Sequence, residues 1–361
     1  MTPYWVTLAL LAYLLVLTYQ LDPAVDTKLA NGLSFSTSTR ICLTAAAAVL
    51  VCVAGLRWGI GTDYFGYYKG YSQSGAEFIT ALQAFDEPGI KGLAWATSQI
   101  SDDAAVFMFA ASSLTLIPIL WTTVKHTNAV GMSLLLIVFV GTWHGSFNGV
   151  RQFLACAVIF AGHRFIVDRR LIPYALVVVV ASSIHISALA MAVLYLVPTK
   201  QLSRRMVVLL AALALGALYS SDFMISLFER ADEGFEVTEY VTHSINPLRV
   251  AVAVAPVLLY WSPGVRTRAD GQWFYRNMAV VHAAVVLAAS WSAYLTRFSI
   301  YTTAFLPLVL PRLIDFPNRR LTALTRAAVT LLFAVYWYTE VSGSSALNDF
   351  RFIWERQGAV Q

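Results

Sequence analysis

Runs of apolar residues at 4–19, 41–56, 104–124 and 321–338 punctuate this sequence. Each approaches the roughly 20 residues that carry a helix across hydrocarbon. A helix that is apolar on every side is buried in protein or immersed in lipid, and several of them in one chain mean a bilayer. Composition agrees: 58% hydrophobic and 12% charged residues, with mean hydropathy +0.65, lie far from a soluble domain at about half apolar and a quarter charged. A soluble protein is excluded. The first run lacks a basic leader and a small-residue cleavage site, and reads as a retained helix, not a signal peptide. Cys42, Cys52 and Cys156 fall inside apolar runs. There they act as small hydrophobes, with no disulfide framework and no metal-ligand spacing. The net charge of +5 implies no nucleic acid partner, because its distribution follows topology.

Cytoplasmic connections collect Lys and Arg. The basic connections are 125–126, 163–170, 200–205, 266–276 and 312–320. Two long connections are acidic: 57–103, with Asp63, Glu77, Asp86, Glu87, Asp102 and Asp103, and 221–246, with Asp222, Glu229, Asp232, Glu233, Glu236 and Glu239. The basic set is therefore placed inside and the two acidic loops outside. Residues 171–198 have basic clusters at both ends, so a hairpin of two short helices is expected, its tip near Ser182-Ser183-Ile184-His185. The expected fold is all-α: one integral membrane domain over residues 1–361, a polytopic bundle of about twelve helical segments with both termini outside. The segments lie near 4–20, 40–56, 104–124, 130–147, 151–167, 171–184, 186–198, 206–220, 247–262, 273–295, 298–313 and 321–339. Within the outer loop 57–103, residues 89–100 form a short interfacial helix, with Leu93 and Trp95 facing lipid or protein.

Ionisable groups at the ends of spans are costly and are candidates for function. Under this topology Arg57, Arg151, Arg249 and Arg297 gather at the outer face, with Gln152 beside Arg151 and His185 at the hairpin tip. The planar guanidinium fork suits phosphate, so this set points to an anionic ligand presented from the bilayer. Asp63, Glu87 and His185 are the groups there that can move a proton. The plainer readings are a snorkelling anchor for each single arginine, packing for His185 and an N-cap for Asp102-Asp103. No nucleotide-binding or metalloprotease motif occurs.

Several segments resemble the EpsG-type, Wzy-like polysaccharide polymerases. Arg57-Trp58-Gly59-Ile60-Gly61-Thr62-Asp63-Tyr64 with Tyr67-Tyr68 resembles the RxGxGTDYxxY signature of that family. Glu87-Pro88-Gly89 with Leu93 resembles its EPGxxxL segment, Asn148-Gly149-Val150-Arg151-Gln152 its NxxRQ motif, His185-Ile186-Ser187-Ala188 its HxSA motif, and Arg297 with Tyr301 its late RxxxY. These fall in the family order over about residues 50–305. Ile90-Lys91 departs from the pattern, where the family often carries an aromatic.

The resemblance implies a GT-C-like membrane glycosyltransferase of the bacterial cytoplasmic membrane that joins undecaprenyl-pyrophosphate-linked oligosaccharide repeat units on the outer side. It also implies a flippase that delivers the units and a chain-length regulator as partners, and no cofactor. Arg57, Arg151, Gln152, Arg249, Arg297, Tyr64, Asn148 and Tyr301 are the expected pyrophosphate or substrate ligands. Asp63, Glu87 and His185 share the catalytic proton chemistry, and no metal site is expected. The other readings are a transporter or flippase of lipid-linked sugars, which inverted repeats would favour and none is found, and a ligase using the same donor.

Overall fold

The computed structural model describes residues 1–30, 34–84, 86–219, 247–261, 272–290 and 296–356. The described residues are 79% helical with almost no strand, which agrees with the all-α expectation. Among the described residues four helices are long and apolar enough to cross a membrane: α1 (Thr2–Leu21), α3 (Thr37–Gly55), α7 (Ala105–His126) and α18 (Arg319–Gly343). The acidic segment 221–246 lies outside the described residues. The chain forms two compact units, residues 1–195 with 328–361, and residues 196–327.

In the first unit α1, α2 (Val25–Ala30) and α3 are followed by β1 (Arg57–Trp58). Next come α4 (Tyr64–Gly70), α5 (Ser74–Ala84), α6 (Pro88–Ser98) and α7. α8 (Val130–Phe139), α9 (Thr142–Gly145), α10 (Val150–Ala161), α11 (His163–Val167) and α12 (Leu171–Ile184) complete the run. α1 packs on α3, α3 on α7, α7 on α10, and α10 on α12. One stripe of α1, Tyr4, Thr7, Leu11, Leu15 and Thr18, is buried. Their spacing of three and four residues follows the helical period. Trp5, Val6, Leu10, Tyr13 and Val16 face outward, which water would penalise and hydrocarbon does not. Thr7 and Thr18 donate to the Pro3 and Leu14 carbonyls at 2.7 and 2.8 Å, so their hydroxyls are satisfied within the helix. α8 and α10 are buried almost all round and form the centre of this unit.

The expected helical hairpin is present in altered form. α12 ends at Ile184, and His185 is extended at φ −152°, ψ 122°. The chain then returns as a 3-10 helix over Ile186–Leu196, where a second α-helical leg is expected from sequence. Tyr174 on the outgoing leg donates to the Met191 carbonyl at 2.7 Å and its ring stacks on Tyr195. The tighter winding has a geometric consequence. Fourteen α-helical residues span about 21 Å and eleven 3-10 residues about 22 Å, so the shorter leg matches the longer one.

One end of this unit collects both chain ends. Met1 donates its amino group to the Asn348 carbonyl and Tyr4 its hydroxyl to that of Leu347, the last two residues of α19 (Ser345–Asn348). β2 (Arg351–Phe352) pairs antiparallel with β1, a two-stranded element not visible in hydropathy. α3 ends here, α7 and α10 begin here, and α12 ends here. At the opposite end Tyr19 donates to Asp26, Asp26 accepts the Val130 N–H at 2.9 Å, and the His126 and His163 rings meet edge to face. Lys125, His126, His163 and Arg164 thus lie a full helix length from Arg57 and Glu87.

The second unit contains α13 (Arg204–Tyr219), α14 (Pro247–Leu258), α15 (Gln272–Ala289), α16 (Ser299–Thr303) and α17 (Leu306–Leu313), with the first residues of α18. The single segment expected over 298–313 is broken between α16 and α17, where Pro307 enters the first turn of α17; proline is tolerated there because that N–H has no helical acceptor. Asn277 donates to the Pro198 and Lys200 carbonyls and accepts from the buried Tyr260 hydroxyl, tying α15 to the turn before α13.

Candidate functional site

Segment 57–103, expected as a loop with one interfacial helix near 89–100, holds three helices and a 3-10 turn among its described residues, and α6 covers the expected helical stretch. The segment begins at Arg57, which is 1% exposed. Its guanidinium donates through Nε to the Ile60 carbonyl at 3.2 Å, through Nη1 to the Ala54 carbonyl and to Ser112 Oγ, and through Nη2 to the Phe147 carbonyl at 3.4 Å. The Phe147 and Tyr64 rings flank the cation at 5.0 and 5.8 Å. Burial draws the group down to about 10, opposed by Tyr64 and Tyr4, so it stays charged. An arginine so enclosed organises the loop that follows it.

That loop wraps the turn before α10. Gly61 has φ +106°, and a Cβ there would stand 2.1 Å from the Phe147 carbonyl oxygen, so only glycine fits. One residue on, the Thr62 N–H donates to Asn148 Oδ1 at 3.1 Å. Two of the sequence motifs, separated by about 85 positions, are thereby joined through Asn148. Asp63 is exposed beside Thr62, whose hydroxyl donates to it at 3.2 Å. Tyr64 is fully buried, with its hydroxyl lacking a hydrogen-bond partner.

Glu87 is the hub. It is 7% exposed and has φ +50°, a left-handed conformation that a non-glycine residue adopts only under constraint. Oε2 accepts from Arg151 Nη1 at 2.6 Å. Oε1 accepts from His185 Nδ1 at 2.5 Å and from the Ile186 N–H at 3.1 Å. Burial opposes ionisation of Glu87, but the hydrogen bond from His185 and the charge of Arg151 outweigh it and hold the carboxyl at about 2. The backbone explains the placement. At Gly89 an added Cβ would lie 2.8 Å from Ser183 Oγ and 2.9 Å from its carbonyl. Glycine thus lets the start of α6 press against the end of α12, beside His185.

Arg151, the second residue of α10, presents a half-exposed guanidinium that also interacts electrostatically with Tyr67. Arg151, Glu87 and His185 form one hydrogen-bonded chain, with Tyr67 beside its arginine end. Tyr67 is the member that reasoning on charged groups passes over. Its signal was its place in the motif, three residues after Tyr64 on α4 and on the same face. Gln152 is buried, turned from Arg151 by the helical step of about 100°. Asp103 caps Ala105, as expected, and also forms a 2.6 Å ion pair with Arg356. Arg249, Arg297 and Tyr301 belong to the second unit, where Arg297 is exposed and Tyr301 buried. Among the described residues no three His, Cys, Asp or Glu side chains gather as a metal ion would need.

The structure therefore brings Arg57, Asp63, Tyr64, Glu87, Asn148, Arg151 and His185 to one end of the first unit. It combines an ionised carboxylate, an imidazole oriented through Nδ1, and a guanidinium with donors still reachable. Such a set can take a proton from a hydroxyl and hold an anion beside it. The description of the EpsG family matches residues 40–352 of the chain. No curated protein matches, and no solved structure matches.

Proposed function

The chain belongs to the EpsG family, and from that premise we propose that it is a polysaccharide polymerase: a membrane glycosyltransferase that joins lipid-pyrophosphate-linked oligosaccharide repeat units. Family membership and the apolar helices support a membrane protein with a polymerase-like role in polysaccharide biosynthesis. The observation that carries the finer reading is the double engagement of Glu87 by His185 and Arg151.

In this reading Glu87 is not the base, since it is ionised at about 2 and both its oxygens are occupied. It holds the Nδ1–H of His185, which directs Nε2 to the acceptor hydroxyl. Nε2 takes that proton as the acceptor oxygen attacks the anomeric carbon. The bond from this carbon to the pyrophosphate breaks, and the lipid pyrophosphate leaves with the electron pair. Arg151 stabilises the charge that develops on it. The proton passes from His185 to water. Asp63, exposed at the mouth of the loop, orients acceptor hydroxyls, while the buried Tyr64 and the Thr62–Asn148 hydrogen bond hold the loop in place. Arg57 is a positioning residue. Gln152 supports the start of α10. Arg249, Arg297 and Tyr301 are proposed pyrophosphate ligands on the sequence argument alone.

Charge supports the orientation. The site lies at the end of the first unit opposite Lys125, His126, His163 and Arg164, and the bias of basic residues to the cytoplasm supports an outward-facing site. The proposed whole is a GT-C-like bundle of about twelve segments in the bacterial inner membrane, with 57–103 and 221–246 outside, undecaprenyl-pyrophosphate donor and acceptor as substrates, and a flippase and a chain-length regulator as partners. Turnover of a purified undecaprenyl-pyrophosphate oligosaccharide by wild type, Arg151→Ala and His185→Ala tests it. A ladder of whole repeat units, lost in both folded variants, supports the reading. Transfer of a single unit to a different acceptor would turn it into a ligase.

A further inference from the structure

The segment expected as one helix over 130–147 is interrupted inside the apolar bundle. α8 ends at Phe139, Gly141 takes φ +91°, and α9 starts afresh at Thr142. The break lies about 15 Å of helix rise beyond the start of α8. Irregular backbone at such depth is tolerated only where protein or water satisfies its polar groups. His144 packs over the turn: a Cβ on Gly141 would stand 3.6 Å from its Cε1 and 3.7 Å from its Nε2.

Two polar atoms at this break meet no hydrogen-bond partner among the groups of the chain: His144 Nδ1 and Trp337 Nε1. Both side chains are enclosed, at 7% and 1% exposure, and their rings meet edge to face with centroids 6.4 Å apart. Tyr4 and Phe139 close other sides of the indole, at 6.4 and 5.9 Å. Trp337 lies on α18 about 9 Å of helix rise before its end, so the place is within the span of that helix. An indole N–H can only donate, while an imidazole nitrogen donates or accepts according to its tautomer. Leaving both bare in an apolar bundle is costly. The group that satisfies them must accept from the indole, pair with the imidazole in either tautomer, and be small enough to be enclosed. A lipid headgroup or a sugar fails the last condition. A single water molecule meets all three.

We propose that one ordered water is bound between the Trp337 indole and His144 Nδ1, and that it locks α9 to α18. The lock bears on the site because α9 leads straight into it. The Phe147 N–H donates to the His144 carbonyl at 3.1 Å, the Phe147 carbonyl accepts from Arg57, and Asn148 accepts from the Thr62 N–H. On the side of α3, the Trp143 indole donates to the Leu50 carbonyl at 3.0 Å. α9 is thus tied to α3 by one tryptophan directly and to α18 by another through water. His144 and Trp337 are positioning residues for the turn that carries Phe147 and Asn148, whatever reaction the site performs.

The test is solid-state NMR of the full-length protein in bilayers, with magnetisation transferred from water to the indole N–H groups. Trp337→Phe keeps an aromatic ring, removes the donor and so identifies the Trp337 signal. Wild type is expected to show transfer to that signal. His144→Phe, which keeps a ring and removes the nitrogen, is expected to lose most of it. No transfer in wild type, or equal transfer in His144→Phe, overturns the water site. Amide hydrogen exchange in Trp337→Phe, the milder variant, tests the lock independently. Residues 143–148 should exchange roughly fivefold faster than in wild type, the effect of one lost hydrogen bond on local opening. An unchanged rate over those residues overturns the lock.

Discussion

Glu87 and His185 are 98 positions apart in the chain and 2.5 Å apart in the fold. The contact exists because Gly89 lets α6 begin against Ser183, so that the carboxylate meets the end of α12 where the helix breaks. Glu87→Gln keeps the shape of the side chain but removes the charge that stabilises a protonated imidazole. The expected result is a folded protein whose kcat falls by roughly two to four orders of magnitude. Single-turnover assays on lipid-linked donor, with circular dichroism as the folding control, would show it; undiminished kcat would remove Glu87 from the mechanism.

The same carboxylate makes stability depend on acid. Its folded value, about 2, lies below the ordinary 4.5, so the folded state binds fewer protons than the unfolded state between these values. The contribution of Glu87 is therefore complete above about 4.5 and is lost as pH falls towards 2. Thermal unfolding of wild type should show a falling Tm across that window. In Glu87→Gln the fall should be shallower, since the titrating group is gone.

Arg57 and Arg151 should respond differently to substitution, although sequence treats them alike. Arg57 is buried with its donors on three carbonyls and Ser112. Arg57→Gln strands those acceptors and costs roughly 1–3 kcal/mol for each one left bare. Arg151 is half exposed and Gln can still donate to Glu87, so Arg151→Gln should cost less stability than Arg57→Gln yet lose turnover. Paired Tm and kcat measurements separate the two; equal loss of stability would contradict the assignment.

Gly61→Ala is expected to be severely destabilising. The left-handed φ of +106° and the 2.1 Å approach to the Phe147 carbonyl oxygen cannot both be kept with a Cβ. The loss should exceed the roughly 1 kcal/mol of an ordinary glycine substitution by several-fold. Protease sensitivity of segment 57–64 would report the opened loop.

The C-terminal tail is predicted to matter through its strand more than its ion pair. Arg356 and Asp103 are largely accessible at 44% and 31%, so Arg356→Ala should cost no more than about 1 kcal/mol. A chain ending at residue 349 loses the β1–β2 pairing and the Ile353 bond to Leu56. It should lose far more stability and, with it, turnover. A truncated protein of wild-type Tm would refute this.

Some of this was legible along the chain. Apolar periodicity marks α1, α3, α7 and α18 because a lipid-facing helix must be apolar wherever it touches hydrocarbon, and that requirement is written residue by residue. The Ser182–His185 break was visible as the polar interruption of an apolar run, and the hairpin follows from basic residues at both its ends. The resemblance pointed to Glu87, Arg151 and His185 without saying which of them pairs with which.

What sequence determines by itself is the solvent and the inventory: a membrane chain, its helical spans, and the side chains that carry charge near their ends. Both depend on local composition, which a linear reading contains. Tertiary structure alone decided that Arg57 is enclosed while Arg151 reaches outward, that Glu87 is an anchor between a guanidinium and an imidazole, and that residues 351–352 close on residues 57–58. These depend on which backbone segments approach each other across the bundle. Glycines at 61 and 89 permit those approaches, yet a glycine in the sequence does not say what it comes close to.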